Sequence, residues 1–198
     1  MKQTRRILLV AALGVLVGCD KPAGSNSKAA FRGIDITGAE YARSLSLTDQ
    51  HGQARTLEQF KGMVSVVFFG YTQCPDVCPA TMAELAQVKK ALGKDGERVQ
   101  GVFITVDPER DTAEFLNKYV SNFDRRIIPL TGTADEIADV AKKYRAIYRK
   151  VPTSTGYTMD HTATVFLMDK AGKFAGTIAY QEEGATQLAK LKRLIAGK

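Results

Sequence analysis

An apolar run that ends in two cysteines four residues apart sets the terms on which this chain can fold. Met63 to Phe69 is short, rich in Val and Phe, and bounded by Gly62 and Gly70. That pattern predicts a buried strand rather than a helix. Cys74 and Cys78 follow at once, and from Cys78 onward Met82, Leu85, Val88 and Leu92 recur at helical spacing, opposite Glu84, Gln87, Lys90 and Lys94. Asp76 is placed to cap this helix through its side chain, and Pro79 is tolerated in the first turn, where N–H groups lack intrahelical partners. The spacing therefore puts Cys78 in the first helical turn and Cys74 in the loop before it.

The start of a helix carries a partial positive charge, which is expected to favour thiolate over thiol at Cys78. Thiolate is the form that binds metals and attacks disulfides. Because Cys74 lies on a loop, the two sulfurs can close into a disulfide or open around an ion, and spacing alone leaves both open. A pair of inert buried cysteines is the third alternative.

The chain has 198 residues, enough for one domain with a substantial core and a tail. Its first residues read as an export signal: a basic start, an apolar run from Ile7 to Val17, then Leu16-Val17-Gly18-Cys19. The run is too short to span a bilayer comfortably. These residues resemble a bacterial lipobox, which implies that Cys19 is lipidated and becomes the first mature residue, with Asp20 favouring retention at the inner membrane. The expected organisation is residues 1–18 as a lipoprotein signal peptide, 19–43 as a lipid-anchored tether, and 44–198 as the folded domain. Pro, Gly, Ser and Asn between Asp20 and Lys28 suit a flexible tether. Export also places Cys74 and Cys78 where disulfides persist. Removing Lys2, Arg5 and Arg6 from the 28 basic residues leaves 25 against 21 acidic ones, a formal +4. Without an aromatic-basic pattern, that balance gives no reading of nucleic-acid binding.

Along the rest of the chain, Ser44 to Gln53 alternates and then turns, predicting a small N-terminal hairpin with His51 in its turn as a polar residue or a metal ligand. Val99 to Val106 is a second buried strand, and the crossover from the first should be right-handed and parallel. Asp107 closes that strand, where open α/β sheets place their sites, and is a candidate to support the site from behind. Asp111 with Glu114 reads as a capping box for a helix carrying Phe115, Leu116, Tyr119, Val120 and Phe123. Ile127 to Leu130 is a short strand whose Pro129 suggests a sheet edge. Thr133 with Glu136 caps a helix with the stripe Ile137, Val140, Ala141 and Tyr144. Ile147 to Asp160 has no helical period and reads as an inserted hairpin or loop that delivers His161 to the start of a strand, Ala163 to Met168. Phe174 to Tyr180 is its antiparallel partner, and a helix with Leu188, Leu191 and Ile195 closes the chain.

This order is the α/β, thioredoxin-like plan: a sheet flanked by helices, with an N-terminal β-hairpin extension and an inserted hairpin before the last one. Three separated motifs make the resemblance specific. Phe69-Gly70-Tyr71-Thr72-Gln73-Cys74-Pro75-Asp76-Val77-Cys78-Pro79, Val106-Asp107-Pro108-Glu109-Arg110-Asp111, and Asp160-His161-Thr162-Ala163-Thr164-Val165-Phe166-Leu167 together resemble the SCO/SenC family over residues 45 to 196. The resemblance implies a membrane-tethered copper-binding metallochaperone rather than an enzyme. Its ligands would be Cys74, Cys78 and His161, and it would assist assembly of the binuclear copper site of cytochrome c oxidase. Its implied partners are the copper-bearing subunit of that oxidase, a protein that donates copper, and the inner membrane, on whose periplasmic face the lipid anchor would hold it.

The residue chemistry agrees. Two thiolates and one imidazole suit Cu(I) or Cu(II), and three ligands leave a position open for transfer. A closed zinc site needs a fourth ligand, and once Cys19 is lipidated the chain has no third thiol. The competing reading is a thiol-disulfide oxidoreductase using Cys74 and Cys78, and a peroxiredoxin-like peroxidase is weaker. The usual redox arrangement is Cys-x-x-Cys with a cis-Pro before the facing strand, whereas here the spacing is one longer and His161-Thr162 stands in that place.

Overall fold

The computed structural model describes residues 42 and 44–197. The expected signal peptide, Cys19 and nearly all of the tether lie outside the described residues. Strand β1 (Ser46–Asp49) and β2 (Ala54–Thr56) form the N-terminal hairpin. Asp49 organises its turn, accepting the N–H groups of His51 and Gln53 at 2.8 and 3.0 Å and Arg55 Nε at 2.7 Å. His51 is therefore held by its backbone, and its side chain is exposed.

Strand β3 (Val64–Gly70) is buried along its whole length, as a continuous Val/Phe run requires. Helix α1 (Val77–Ala91) returns the chain to β4 (Val99–Thr105), which pairs parallel with β3. Then follow α2 (Ala113–Ser121), β5 (Ile128–Thr131) and α3 (Ala134–Tyr144). Strands β6 (Tyr148–Thr153) and β7 (Gly156–His161) make a hairpin, β8 (Val165–Met168) and β9 (Phe174–Ile178) another, and α4 (Gly184–Ile195) follows them. Seven strands form one sheet in the order β2-β1-β5-β4-β3-β8-β9, and β6-β7 form a separate two-stranded sheet. This is the thioredoxin-like plan with both expected hairpin additions.

Side chains alternate across the pleat, so neighbours on β3 face opposite layers. Phe68 meets Phe103 of β4, which in turn meets Tyr119 of α2, while Phe69 meets Tyr144 of α3 and Phe166 of β8. The stripe Ile137, Val140, Ala141 and Tyr144 is buried as expected, and Thr133 and Glu136 form the expected capping box.

Four local expectations are corrected. Asp76 stands at the start of α1 but makes no side-chain cap, and its backbone carbonyl accepts the Ala80 N–H instead. Thr112, not Asp111, caps α2, its hydroxyl accepting the Phe115 N–H, and Phe115 itself is exposed. Strand β5 is interior: Pro129 is aligned with Phe103 of β4, while the pairing with β1 stops at Leu130, so the proline ring stands where β1 offers no partner. His161 ends β7 rather than opening the next strand.

Candidate metal centre

Three elements converge at the end of β3. Cys74 sits in the loop after the strand, half-buried, and Cys78 in the first turn of α1, fully buried. His161 arrives from the β6-β7 hairpin. Their donor atoms all lie within 4.8 Å of one another. Neither cysteine is in a disulfide, and Cys78 Sγ is 3.3 Å from His161 Nε2.

Gly70 makes the close approach of Cys78 feasible. A Cβ at that position would lie 2.9 Å from Cys78 Sγ and 2.9 Å from the Phe103 ring, closer than such contacts allow. The imidazole is packed edge-on against Phe68 and Tyr71, with ring centroids 6.0 and 5.8 Å away. Its Nδ1 is 3.1 Å from the Thr162 carbonyl. A carbonyl only accepts, so this bond assigns the ring proton to Nδ1 and leaves the Nε2 lone pair facing the sulfurs.

The thiolate belongs to Cys74, which corrects the expectation that the helix start would ionise Cys78. The hydrogen bond from the Cys78 thiol, with further help from the N–H groups of Cys78 and Asp76, lowers Cys74 from 9.0 to about 3 against the opposing effect of burial. Cys78 moves the other way, its thiol pushed up by that same bond to Cys74 and by burial. Of the pair, Cys78 is the sulfur that keeps its proton.

The turn after β4 supports both sides of this arrangement. Asp111 is buried and accepts the Thr72 N–H at 3.0 Å, the Thr72 hydroxyl at 2.6 Å and the Thr105 hydroxyl at 2.6 Å. Burial raises its pKa while these donors pull the other way. Asp107 is also buried and touches none of the three donors; it accepts the Tyr157 hydroxyl at 2.8 Å and is ion-paired with Arg110. Sequence reasoning singled out Asp107 but missed Arg110, Asp111 as a loop anchor, and Tyr157. The only signal available for them was the Asp-Pro-Glu-Arg-Asp motif itself.

The family model described as SCO1/SenC matches residues 35–196. The chain belongs to the SCO1/SenC family. This SCO1/SenC chain is 36% identical over 131 residues to an SCO2-like protein of Rickettsia prowazekii, an alignment covering 65% of this chain and 64% of that protein. It thus spans slightly less than two thirds of that relative's length. A structure of Bradyrhizobium japonicum ScoI with copper bound superposes with a TM-score of 0.72 at 44% identity, covering 78% of this chain and 99% of that one. Arabidopsis thaliana ScoI with copper bound gives a TM-score of 0.75 at 31% identity, covering 80% and 99%.

Proposed function

We propose that this chain is a membrane-tethered metallochaperone that carries copper on Cys74, Cys78 and His161 and assists assembly of the binuclear copper site of cytochrome c oxidase. The observation that carries the reading is the donor set: two sulfurs and an imidazole nitrogen, all within 4.8 Å of one another. Soft sulfur and borderline nitrogen match copper, and a three-donor cluster suits cargo that must leave again better than a closed structural zinc. The copper-bound ScoI relative at 44% identity supports the same assignment.

Each residue has a distinct part in loading. Cys74 is already a thiolate and offers the first sulfur. Cys78 must release its proton to solvent to become the second. His161 offers Nε2 without a tautomer change because Thr162 holds the other ring nitrogen's proton. Copper reaches the chain from a donor protein and passes to the copper-bearing subunit of the oxidase, a role supported by the family resemblance of the three motifs. Lipidation of Cys19 would hold the domain at the periplasmic face of the inner membrane, as Leu16-Val17-Gly18-Cys19 suggests.

The thiol-disulfide reductase reading uses the same two cysteines, and the ionised Cys74 beside a neutral Cys78 favours keeping it as the alternative. Against it, the cysteine spacing is one residue longer than Cys-x-x-Cys, and an imidazole stands 3.3 Å from the Cys78 sulfur. An anaerobic copper titration with thiol counting separates the two. Metal binding predicts one copper per chain, abolished by Cys74→Ser or Cys78→Ser. In His161→Ala, Cu(II) binding and oxidase maturation are lost while Cu(I) stays on the two sulfurs. Undiminished Cu(II) binding in His161→Ala would sink the assignment.

A further inference from the structure

We infer that Arg110 is a positioning residue of this centre, the strut that sets the distance between the loop carrying Cys74 and the hairpin carrying His161; the inference rests on the copper reading above and deepens it. The β6-β7 hairpin shares no ladder hydrogen bonds with the seven-stranded sheet. Its placement over the cysteines must therefore come from side chains. Arg110 supplies the connection that reaches the cysteine loop, beside the Tyr71–Thr158 and Lys150–Glu109 contacts and the buried Met159. Its Nη1 donates to Gln73 Oε1 at 3.2 Å, next to Cys74, and to the Tyr157 carbonyl at 2.9 Å, on β7. The guanidinium also lies 3.7 Å from the centre of the Tyr157 ring and 5.8 Å from that of Tyr71.

The strut is braced from both ends. Asp107 pairs with Arg110 Nε and accepts the Tyr157 hydroxyl, so one buried carboxylate holds both the guanidinium and the ring it stacks on. Tyr71, whose ring touches His161, bonds Thr158 of the hairpin at 2.8 Å. Lysine could keep the charge beside Asp107, but it has no planar fork to reach Gln73 and the Tyr157 carbonyl while stacking on the ring.

Arg110→Lys in the full, reduced chain is the test. In copper-free protein, amide hydrogen exchange over residues 148–161 should speed up while β3 and β4 remain protected. After loading with Cu(II) ions, the nitrogen hyperfine coupling should weaken and affinity should fall about 10- to 100-fold, the range for losing a group that orients a ligand. Cu(I), held by the two sulfurs, should bind as in wild type. Wild-type hairpin exchange together with a wild-type Cu(II) spectrum would overturn the role of Arg110. If Arg110→Lys does not fold, Gln73→Ala removes one end of the strut at an exposed side chain, and wild-type behaviour there overturns it equally. His161→Ala keeps the two readings apart: unchanged Cu(II) binding in that variant fails the copper reading and the positioning role with it, whereas lost binding there with unchanged Arg110→Lys fails the strut alone.

Discussion

The sulfur of Cys74 accepts the backbone N–H of Cys78 at 3.3 Å, so the positive start of α1 serves the loop cysteine rather than the helical one. In the reduced, copper-free protein, alkylation at Cys74 should proceed at nearly the same rate from pH 5 to pH 8, because its thiolate is formed above about 3. An ordinary thiol would gain about tenfold per pH unit over that range. A rate at Cys74 that climbs with pH in the ordinary way would contradict this, and the buried thiol of Cys78 should stay unlabelled throughout.

The same difference links to stability. A depressed pKa favours the folded state fully above the unfolded value of 9.0, and that contribution is lost as pH falls toward about 3. Cys78, raised in the folded state, contributes below its unfolded value and loses that contribution only in alkaline solution. Between pH 4 and 8 the slope from this pair therefore belongs to Cys74. Urea denaturation of the reduced protein should show stability rising with pH, with a shallower rise in Cys74→Ser.

Gly70→Ala should destabilise the fold by about 1–3 kcal/mol, the range for overpacking a filled core. The added methyl would meet Cys78 Sγ and the Phe103 ring, both fully buried. Backbone strain is not the cause, since Gly70 is absent from the positive-φ glycines. Because one of the displaced atoms is a proposed ligand, copper affinity should fall as well. A variant with wild-type melting and copper binding would show that the strand end has slack.

Asp111→Ala and Thr112→Ala should behave differently although the residues adjoin. Thr112→Ala removes the α2 cap at an exposed site and should cost about 1 kcal/mol without touching copper binding. Asp111→Ala strands the Thr72 N–H and two threonine hydroxyls beside the cysteine loop, with a larger loss of about 1–3 kcal/mol and weaker copper binding. Chemical denaturation and copper competition on both variants check the contrast.

For the anchor, mass spectrometry of membrane-extracted protein should find Cys19 as the modified mature N-terminus, given the preceding Leu16-Val17-Gly18. An unmodified Cys19 would remove the proposed mode of tethering.

These contrasts mark how much the sequence could reveal. The β3-α1-β4 crossover was legible because its apolar positions follow local periods, and the hairpin before His161 because it breaks them. Choosing between Asp111 and Thr112 as the α2 cap was not, since both residue types cap well and the decision lies with Thr72 and Thr105, far off in the chain or hidden in a strand. Pro129 misled for a similar reason: a missing N–H matters only where a neighbouring strand needs it, and β1 ends its pairing one residue away. At the centre itself, the residue types and the start of α1 were readable. Which sulfur the helix start would ionise was not, because that turns on the path of a loop. Arg110 was hidden because its partners at Gln73 and Tyr157 are 37 and 47 residues away.

The hairpin that carries His161 pairs only with itself. Shifting it breaks no ladder of the main sheet, and β8 keeps its pairing with β3 and β9. No strand edge is newly uncovered, so the movement offers neighbouring chains no fresh template for strand addition. A third donor mounted this way stands apart from the main sheet, so its position can change without exposing an aggregation-prone edge of that sheet.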